Sequence, residues 1–464
     1  MQQQEVNEKD NKIVDFNEIL DQKKSNNEST KPVPKKIDGI TVVSPMWGER
    51  HVTDRMVFSV IHQYLGKDDP INIELVLVDD YLEGRGEDDS STYDYYLSDA
   101  FKEFYDDKHI SIKLIKNSEH KYQGESREIG FLAGKYDWFI LVDCDDMLAP
   151  NCCDRYRHII NSYYDLNEDG TRKEQGELAC VYGYLYSFGE HGYEHNIVGE
   201  SIWVQSRCYN RQFIIDNDVH FPTGTNSRQG EDYPFIRKLD YALNHDAVWT
   251  AVKVPYNANL DCQATAFWFP NDNSLSRQDP HYGCHLSGWT MASSNSIIEY
   301  FMEYNKKHNL EDQEDEAMKH EVLNMTIYAF YNLLHFLREV AATDYNPLEV
   351  DWEALRINVG KLRKKLKDVF WDEIVYSDVE DMLYNVKHHS DIQFCESWLG
   401  TFYDFINKGF WWKKKNILDL EYNDMRAYCK TLEFDGAGHE VHSPQVLAWV
   451  RRHKKEEVKE EDKK

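Results

Sequence analysis

The sequence predicts an α/β domain built on a mostly parallel sheet with flanking helices, followed by a mainly helical region, and three observations lead to that expectation. β-Branched runs alternate with helical periodicity from Ile37 onward, acidic residues gather at the ends of two of those runs, and beyond about residue 290 only helical spacing remains. Consecutive β-α units imply parallel strands joined by helical crossovers.

The elements follow in order. Residues 1–36 are rich in Asn, Gln, Lys, Asp and Glu and close on Lys31-Pro32-Val33-Pro34-Lys35-Lys36, which reads as a disordered leader. Ile40-Thr41-Val42-Val43 is a strand, and Val52 to Tyr64 sets Met56, Val57, Val60, Ile61 and Tyr64 on one helical face. Ile73 to Val78 is a second strand, a charged helical segment covers residues 92–106, and Ile110 to Ile115 is a third strand. Glu125 to Gly134 reads as a helix and Trp138 to Val142 as a fourth strand. The α/β domain is expected over 37–288 and a helical domain over 289–450, with Ile297, Ile298, Phe301 and Met302, then residues 322–337 and 355–366, at three- and four-residue spacings. Residues 451–464 form a charged tail, and there is no internal repeat.

Composition narrows the function classes. With 464 residues, 41% of them hydrophobic and 14% aromatic, the chain can bury a sizeable core. A formal charge of -29 argues against loose, charge-driven affinity for nucleic acid or anionic membrane. The nine cysteines are scattered and lack paired zinc-ligand spacing, which fits a reducing, cytoplasmic setting. No apolar run reaches the roughly 20 residues of a spanning helix, and the polar start of the chain lacks the apolar core of a secretory signal.

The chemistry concentrates in acids. Asp143, Asp145 and Asp146 follow the fourth strand, and Asp79 and Asp80 follow the second. Ligands of open α/β sheets bind beyond the carboxyl ends of the strands, so both turns would face one crevice. Like charges at close quarters resist ionisation, and carboxylate oxygens suit Mg2+ or Mn2+ held through one or two acids plus substrate phosphates. The plainer readings are a solvated turn for Asp79-Asp80 and a helix-capping turn for Asp143 to Asp146. Glu231-Asp232, after Gly230, reads equally as an acidic helix start.

Taken in order, Ile40 to Pro45 with the helix ending at Gln63, Val76 to Asp80, Ser126 to Gly134 leading to Asp143-Cys144-Asp145-Asp146, Gly230 to Tyr233, and Asn273 to Arg277 resemble the family-two glycosyltransferases with the GT-A fold. That resemblance implies a nucleotide-sugar donor, with UDP as the default, bound by Pro45, Asp79, Asp80, Arg127, Asp143 and Asp145. It implies Mn2+ or Mg2+ on Asp145 and Asp146, and Asp232 as the catalytic base beside Glu231. Arg127 is expected to reach the diphosphate, and direct displacement implies inversion at the anomeric carbon. No Gln-x-x-Arg-Trp motif follows Asp232, so a single transfer is expected rather than polymerisation.

The departures are specific. The turn after Asp80, Tyr81 to Asp89, is longer and more acidic than the family's short loop, and Phe269 to Asp272 lacks the His that some relatives carry there. Two rival readings remain: a haloacid-dehalogenase-like phosphoryl-transfer hydrolase, whose nucleophile turn is also a strand followed by Asp-x-Asp, and a catalytically silent GT-A scaffold. The acceptor is left among saccharide, protein, small molecule and modified nucleobase, with Phe410 and Trp411 to Lys415 as a candidate acceptor surface on the helical region.

Overall fold

The computed structural model describes residues 36–47, 50–80, 93–105, 108–165, 176–189, 192–198, 203–223, 230–255, 264–269 and 282–310, with residues 361, 433–434 and 441–442. The expectations for residues 1–35, 81–89, 270–277, 322–337, 355–360, 362–366, 410–415 and 451–464 lie outside them. The chain divides into two compact units, Met1–Asp272 and Asn273–Lys464.

In the first unit the elements run β1 (Gly39–Met46), α1 (Arg50–Ile61), β2 (Asn72–Asp79), α2 (Asp99–Lys102), β3 (Ile110–Lys116), α3 (Tyr122–Ala133), β4 (Trp138–Leu141) and β5 (Met147–Leu148). They continue with α4 (Cys152–Tyr163), β6 (Glu177–Tyr182), β7 (Tyr184–Gly189), β8 (Gly192–Val198), β9 (Arg207–Asn210), α5 (Arg211–Asp216), α6 (Asp232–His245), β10 (Trp249–Lys253) and β11 (Ala266–Trp268). The expected segment at 92–106 resolves into a single 3-10 turn, Asp94–Leu97, and the four-residue α2, which starts on a Ser98 cap accepting from the Phe101 N–H.

Seven strands form the main sheet in the order β10-β6-β9-β4-β1-β2-β3. β1 pairs in parallel with β2 and β4, β2 with β3, and β10 with β6, while β9 runs antiparallel to both β4 and β6. The expected mostly parallel sheet is therefore present, with one reversed strand that the sequence pattern did not reveal. The reversal matters for the site: residues that precede β9 come to the same edge as residues that follow β1, β2 and β4. A smaller sheet, β5-β11-β7-β8, lies in the same unit.

The sheet is apolar because both faces are covered. β1 is buried at every position, and β2 at every position after Asn72. On one face a column of fully buried rings runs from α3 through the sheet to α6. Phe131 stacks on Phe139 at 4.6 Å, Phe139 on Tyr209 at 5.2 Å, Tyr209 meets Phe235 edge-on at 5.8 Å, and Phe235 stacks on Phe221 at 4.1 Å. Each such ring contributes roughly 1.5–3 kcal/mol by burial, and the column fixes the separation of α3 from α6.

The second unit contains α7 (Tyr282–His308), and the two-residue strands β12 (Glu433–Phe434) and β13 (Val441–His442) form an antiparallel pair. α7 runs unbroken across the boundary anticipated at 288–289. It buries Ile297, Ile298 and Phe301 but exposes Met302, which the spacing had placed with them; Tyr304 takes the next buried position. Among the described residues no helix is long and apolar enough to cross a membrane.

Close approach of α3 to the sheet depends on Gly130, where an added Cβ would collide with Val43 Cγ1 and meet Val78 Cγ2 at 3.1 Å. Gly130→Ala is expected to lower stability by about 1–3 kcal/mol, read as a lower denaturant midpoint with an unchanged slope. An unchanged midpoint would show that α3 has room to retreat from β1.

Candidate active site

The parallel strands deliver their carboxyl ends to one edge, and the expected donor-binding residues are there. Pro45 is buried within β1, opposite Val78, and Asp79 closes β2 with its carbonyl accepting the Asn117 N–H. Asp80 is more heavily engaged than a nucleotide contact would require. Its Oδ1 accepts from Asn117 Nδ2 at 2.8 Å and the Lys121 N–H at 2.7 Å, and its Oδ2 accepts from the Tyr122 N–H at 2.8 Å and faces His120 Nδ1 at 2.7 Å. Burial pushes its carboxyl above the ordinary carboxylate range, and these donors oppose the shift. Asp80 thus anchors the turn into α3, including Tyr122 with its positive φ of 61°. Sequence reasoning missed the neighbouring rings. Trp47, 46% exposed, stacks on His120 at 5.8 Å, and His120 meets Tyr122 at 4.1 Å.

The acidic turn after β4 is held from α1 and the turn that follows it by a polar stripe at four-residue spacing. Arg55 Nη2 donates to the Asp145 carbonyl, Ser59 Oγ accepts the Leu148 N–H at 3.1 Å, and Gln63 Nε2 donates to the Ala149 carbonyl at 2.7 Å while its Oε1 accepts the Cys153 N–H at 3.1 Å. This stripe lies beside the apolar face that the periodicity picks out, and only its i, i+4 repetition announces it. Arg55 also lies over the Phe269 ring at 3.9 Å.

Within the turn, Asp143 and Asp146 have different surroundings. Asp143 is turned inward, accepting from Arg127 Nη2 at 2.5 Å, Gln123 Nε2 at 3.2 Å and Gln205 Nε2. Gln205 reaches it because β9 is reversed. Asp146 is buried; its Oδ1 accepts the Phe269 N–H at 3.1 Å, and its buried Oδ2 has no hydrogen-bond partner among the described residues. Burial, then the charges of Asp143 and Asp145, push its carboxyl well above the usual range, against the Phe269 N–H and Arg55.

Arg127 joins this turn to the second acidic motif. The side chain is 1% exposed. One guanidinium nitrogen pairs with Asp143, and the other pairs with Glu231 and with Asp232 at 2.6 Å. The guanidinium of this helix arginine is turned onto three carboxylates, which hold it charged despite complete burial. Glu128, the next residue, accepts the Phe221 N–H at 2.9 Å and pairs with His220. Consecutive residues of α3 therefore fasten Phe221 on one side and Glu231-Asp232 on the other.

The helix-cap reading of Glu231-Asp232 does not describe the geometry. Glu231 occupies the N-cap position without a side-chain cap hydrogen bond, and Asp232 is the first residue of α6; both carboxylates turn to Arg127. Gly230, at φ 68°, supplies the left-handed bend that allows this. Asp232 Oδ2 also accepts the Val204 N–H at 3.3 Å. Burial pushes the Asp232 carboxyl up to about 8; Arg127 lowers it, and Glu231 and Asp143 raise it.

Among the described residues no group of three or more His, Cys, Asp or Glu side chains converges as a cation cage. The donor set fits the other mode of hard-cation binding, in which one or two carboxylates share the ion with substrate phosphates. The partnerless buried Oδ2 of Asp146 is the atom that a cation would satisfy.

Among curated proteins, none matches the chain. Solved structures of low similarity include S. aureus TarS 1-349 in complex with UDP-GlcNAc, at 12% identity and TM-score 0.39, covering 71% of this chain and 90% of that one. They also include the mannosyltransferase PcManGT from Pyrobaculum calidifontis in complex with GDP-Man and Mn2+, at 11% identity and TM-score 0.35, covering 77% and 94%. The family model described as Glycosyl transferase family 2 matches residues 41–227, a span that includes Pro45, Asp79, Asp80, Arg127 and the acidic turn and ends just before Glu231. Over this segment the chain is similar to the family-two glycosyltransferases.

Proposed function

We propose that the protein transfers a single sugar from a nucleoside-diphosphate donor, with UDP as the default nucleotide, to an acceptor hydroxyl, with inversion and with help from Mn2+ or Mg2+. The observation that carries this reading is the convergence of two motifs on one guanidinium: Asp143 of the acidic turn and Glu231-Asp232 of α6 meet at Arg127. A metal-assisted displacement needs such a pairing, with one carboxylate group facing the leaving diphosphate and another facing the attacking hydroxyl.

Asp146, with Asp145 beside it, would hold the cation, which when bound neutralises charge developing on the diphosphate as the glycosidic bond breaks. Asp143 stays turned to Arg127 and Gln205 and orients the turn. Asp232 takes the proton of the acceptor hydroxyl as its oxygen bonds to the anomeric carbon, and the nucleoside diphosphate leaves from the opposite face. Glu231 shares Arg127 and sets the charge around Asp232. Trp47, directly after β1 and near Asp79 and Asp80, would contact the donor base. The domain limits 37–288 and 289–450 are retained as the proposal for catalytic and helical regions.

Two outcomes test the reading. Asp232 accepts a proton only when ionised, so with its carboxyl near 8 the transfer rate should climb about tenfold per pH unit from about pH 6 and level off above about pH 8. Asp232→Asn should lower the rate by roughly 10²–10⁴. A flat profile over the same range would remove Asp232 as the base.

The second test separates metal binding from turnover. Mn2+ with UDP should raise the melting temperature of the wild type but not of Asp146→Asn. Without metal, Asp146→Asn should be no less stable than the wild type, because it relieves like-charge repulsion at a buried oxygen. Equal metal-dependent shifts in both proteins would contradict the assignment.

A further inference from the structure

Asp80 has no acceptor capacity left for a ligand. Its carboxylate takes Asn117 Nδ2, the Lys121 and Tyr122 N–H groups and His120 Nδ1 at 2.7–2.8 Å, which fills the roughly four lone-pair positions of an ionised carboxylate. A backbone N–H, which can only donate, lies on each oxygen, so both oxygens accept and His120 Nδ1 carries a proton toward them. In the neutral ring the other nitrogen, Nε2, is then an acceptor, and the charge of Asp80 raises its basicity. The two nitrogens point away from each other across the imidazole. With Nδ1 directed at a side chain that is 5% exposed, Nε2 faces outward on a ring that is 38% exposed. Trp47 stacks on this ring at 5.8 Å and Tyr122 packs against it at 4.1 Å, which fixes its plane.

Strand order puts this nitrogen where a donor nucleobase would lie. β2 stands two strand spacings, about 10 Å, from β4, with β1 between them. A diphosphate at the acidic turn after β4 therefore directs its ribose across the end of β1 and its nucleobase toward the turn between β3 and α3, which carries His120. We propose that His120 is the nucleobase-specificity residue of this site: its Nε2 accepts a ring N–H, so the donor is a nucleoside diphosphate whose nucleobase carries one, as uracil does at N3 and guanine at N1. The proposal rests on the transferase reading above and moves recognition from Asp80, the acid that the family resemblance implies, to the ring that Asp80 orients. Cytosine and adenine present an unprotonated ring nitrogen in the corresponding place, so each would set a lone pair against that of Nε2, and this repulsion adds to the selectivity. Asp80 acts through His120 by fixing the tautomer.

The test measures nucleotide affinity by titration calorimetry on the full chain with Mn2+ at about pH 8, where an ordinary imidazole is neutral. UDP, GDP, CDP and ADP are compared first, then N3-methyl-UDP and N1-methyl-GDP, which keep the ring and the charge but lack the ring N–H. UDP or GDP should bind at least about tenfold more tightly than CDP and ADP, and methylation of the preferred nucleotide should cost about tenfold, the worth of one hydrogen bond. His120→Phe keeps a ring beside Trp47 and Tyr122 but no acceptor, and it should bind parent and methylated nucleotides alike. A purely structural role would instead weaken both and preserve their ratio. The methylated ligands interrogate the wild type directly, so the answer does not depend on the folding of the variant. If nucleotides bind but methylation leaves the affinity unchanged, if CDP or ADP is preferred, or if His120→Phe keeps the wild-type ratio, the role of His120 is overturned and the transferase reading survives. If none of the four nucleotides binds with Mn2+, the transferase reading fails and takes this inference with it.

Discussion

Burying a guanidinium removes it from water at a cost of several kcal/mol, and Arg127 offsets that cost only by meeting carboxylates in good geometry. Three are supplied: Asp143 after β4, and Glu231 and Asp232 at the start of α6. The partners belong to segments 104 residues apart in sequence, so the ion cluster acts as a long-range tie between the sheet edge and α6. The acids are equally dependent on the arginine. Without it, three carboxylates would share a dry space with no counter-charge, and the proton affinity of Asp232, already raised, would rise further.

The apolar framework sets the position of this tie. Gly130 lets α3 lie directly on β1 and β2, and the ring column Phe131, Phe139, Tyr209, Phe235 and Phe221 fixes α6 relative to α3. Phe221 closes the column beneath the guanidinium of Arg127, 5.9 Å from its ring. On the other side of the crevice, the stripe of Arg55, Ser59 and Gln63 reads the backbone of the acidic turn, so Asp146 is placed by α1 and Asp143 by α3. The two groups of acids differ in kind as a result. Asp143, Glu231 and Asp232 share Arg127, whereas Asp146 retains a buried oxygen with no partner among the described residues.

Much of this was legible in the sequence, and the remainder was hidden for identifiable reasons. The first four strands and both acidic turns announce themselves because an apolar run ending in Asp leaves few alternatives at a sheet edge. β9 was hidden, since four residues, Arg207–Asn210, are too short for a period to register, and its reversal brings Gln205 and Val204 to the site. The pairing of Arg127 was hidden because it depends on a distant segment. A local signal did exist: Ser126, Gly130 and Ala133 are small, Ile129, Phe131 and Leu132 are apolar, and a helix so poor in exposed residue types buries any charge it carries. For Asp80 the residue was found but its surroundings were not, because side-chain acceptance by the 117–122 turn leaves no periodic trace.

The interaction that organises the site can be measured by a double-mutant cycle on folding stability, using Arg127→Met, Glu231→Gln and the pair together. Arg127→Met alone should cost about 3–5 kcal/mol by leaving buried carboxylates uncompensated. Adding Glu231→Gln should restore part of that loss, giving a coupling of about 1–3 kcal/mol and a double variant more stable than Arg127→Met. Additive losses, with no coupling between the two positions, would contradict the claim that one buried guanidinium holds the acids of this site together.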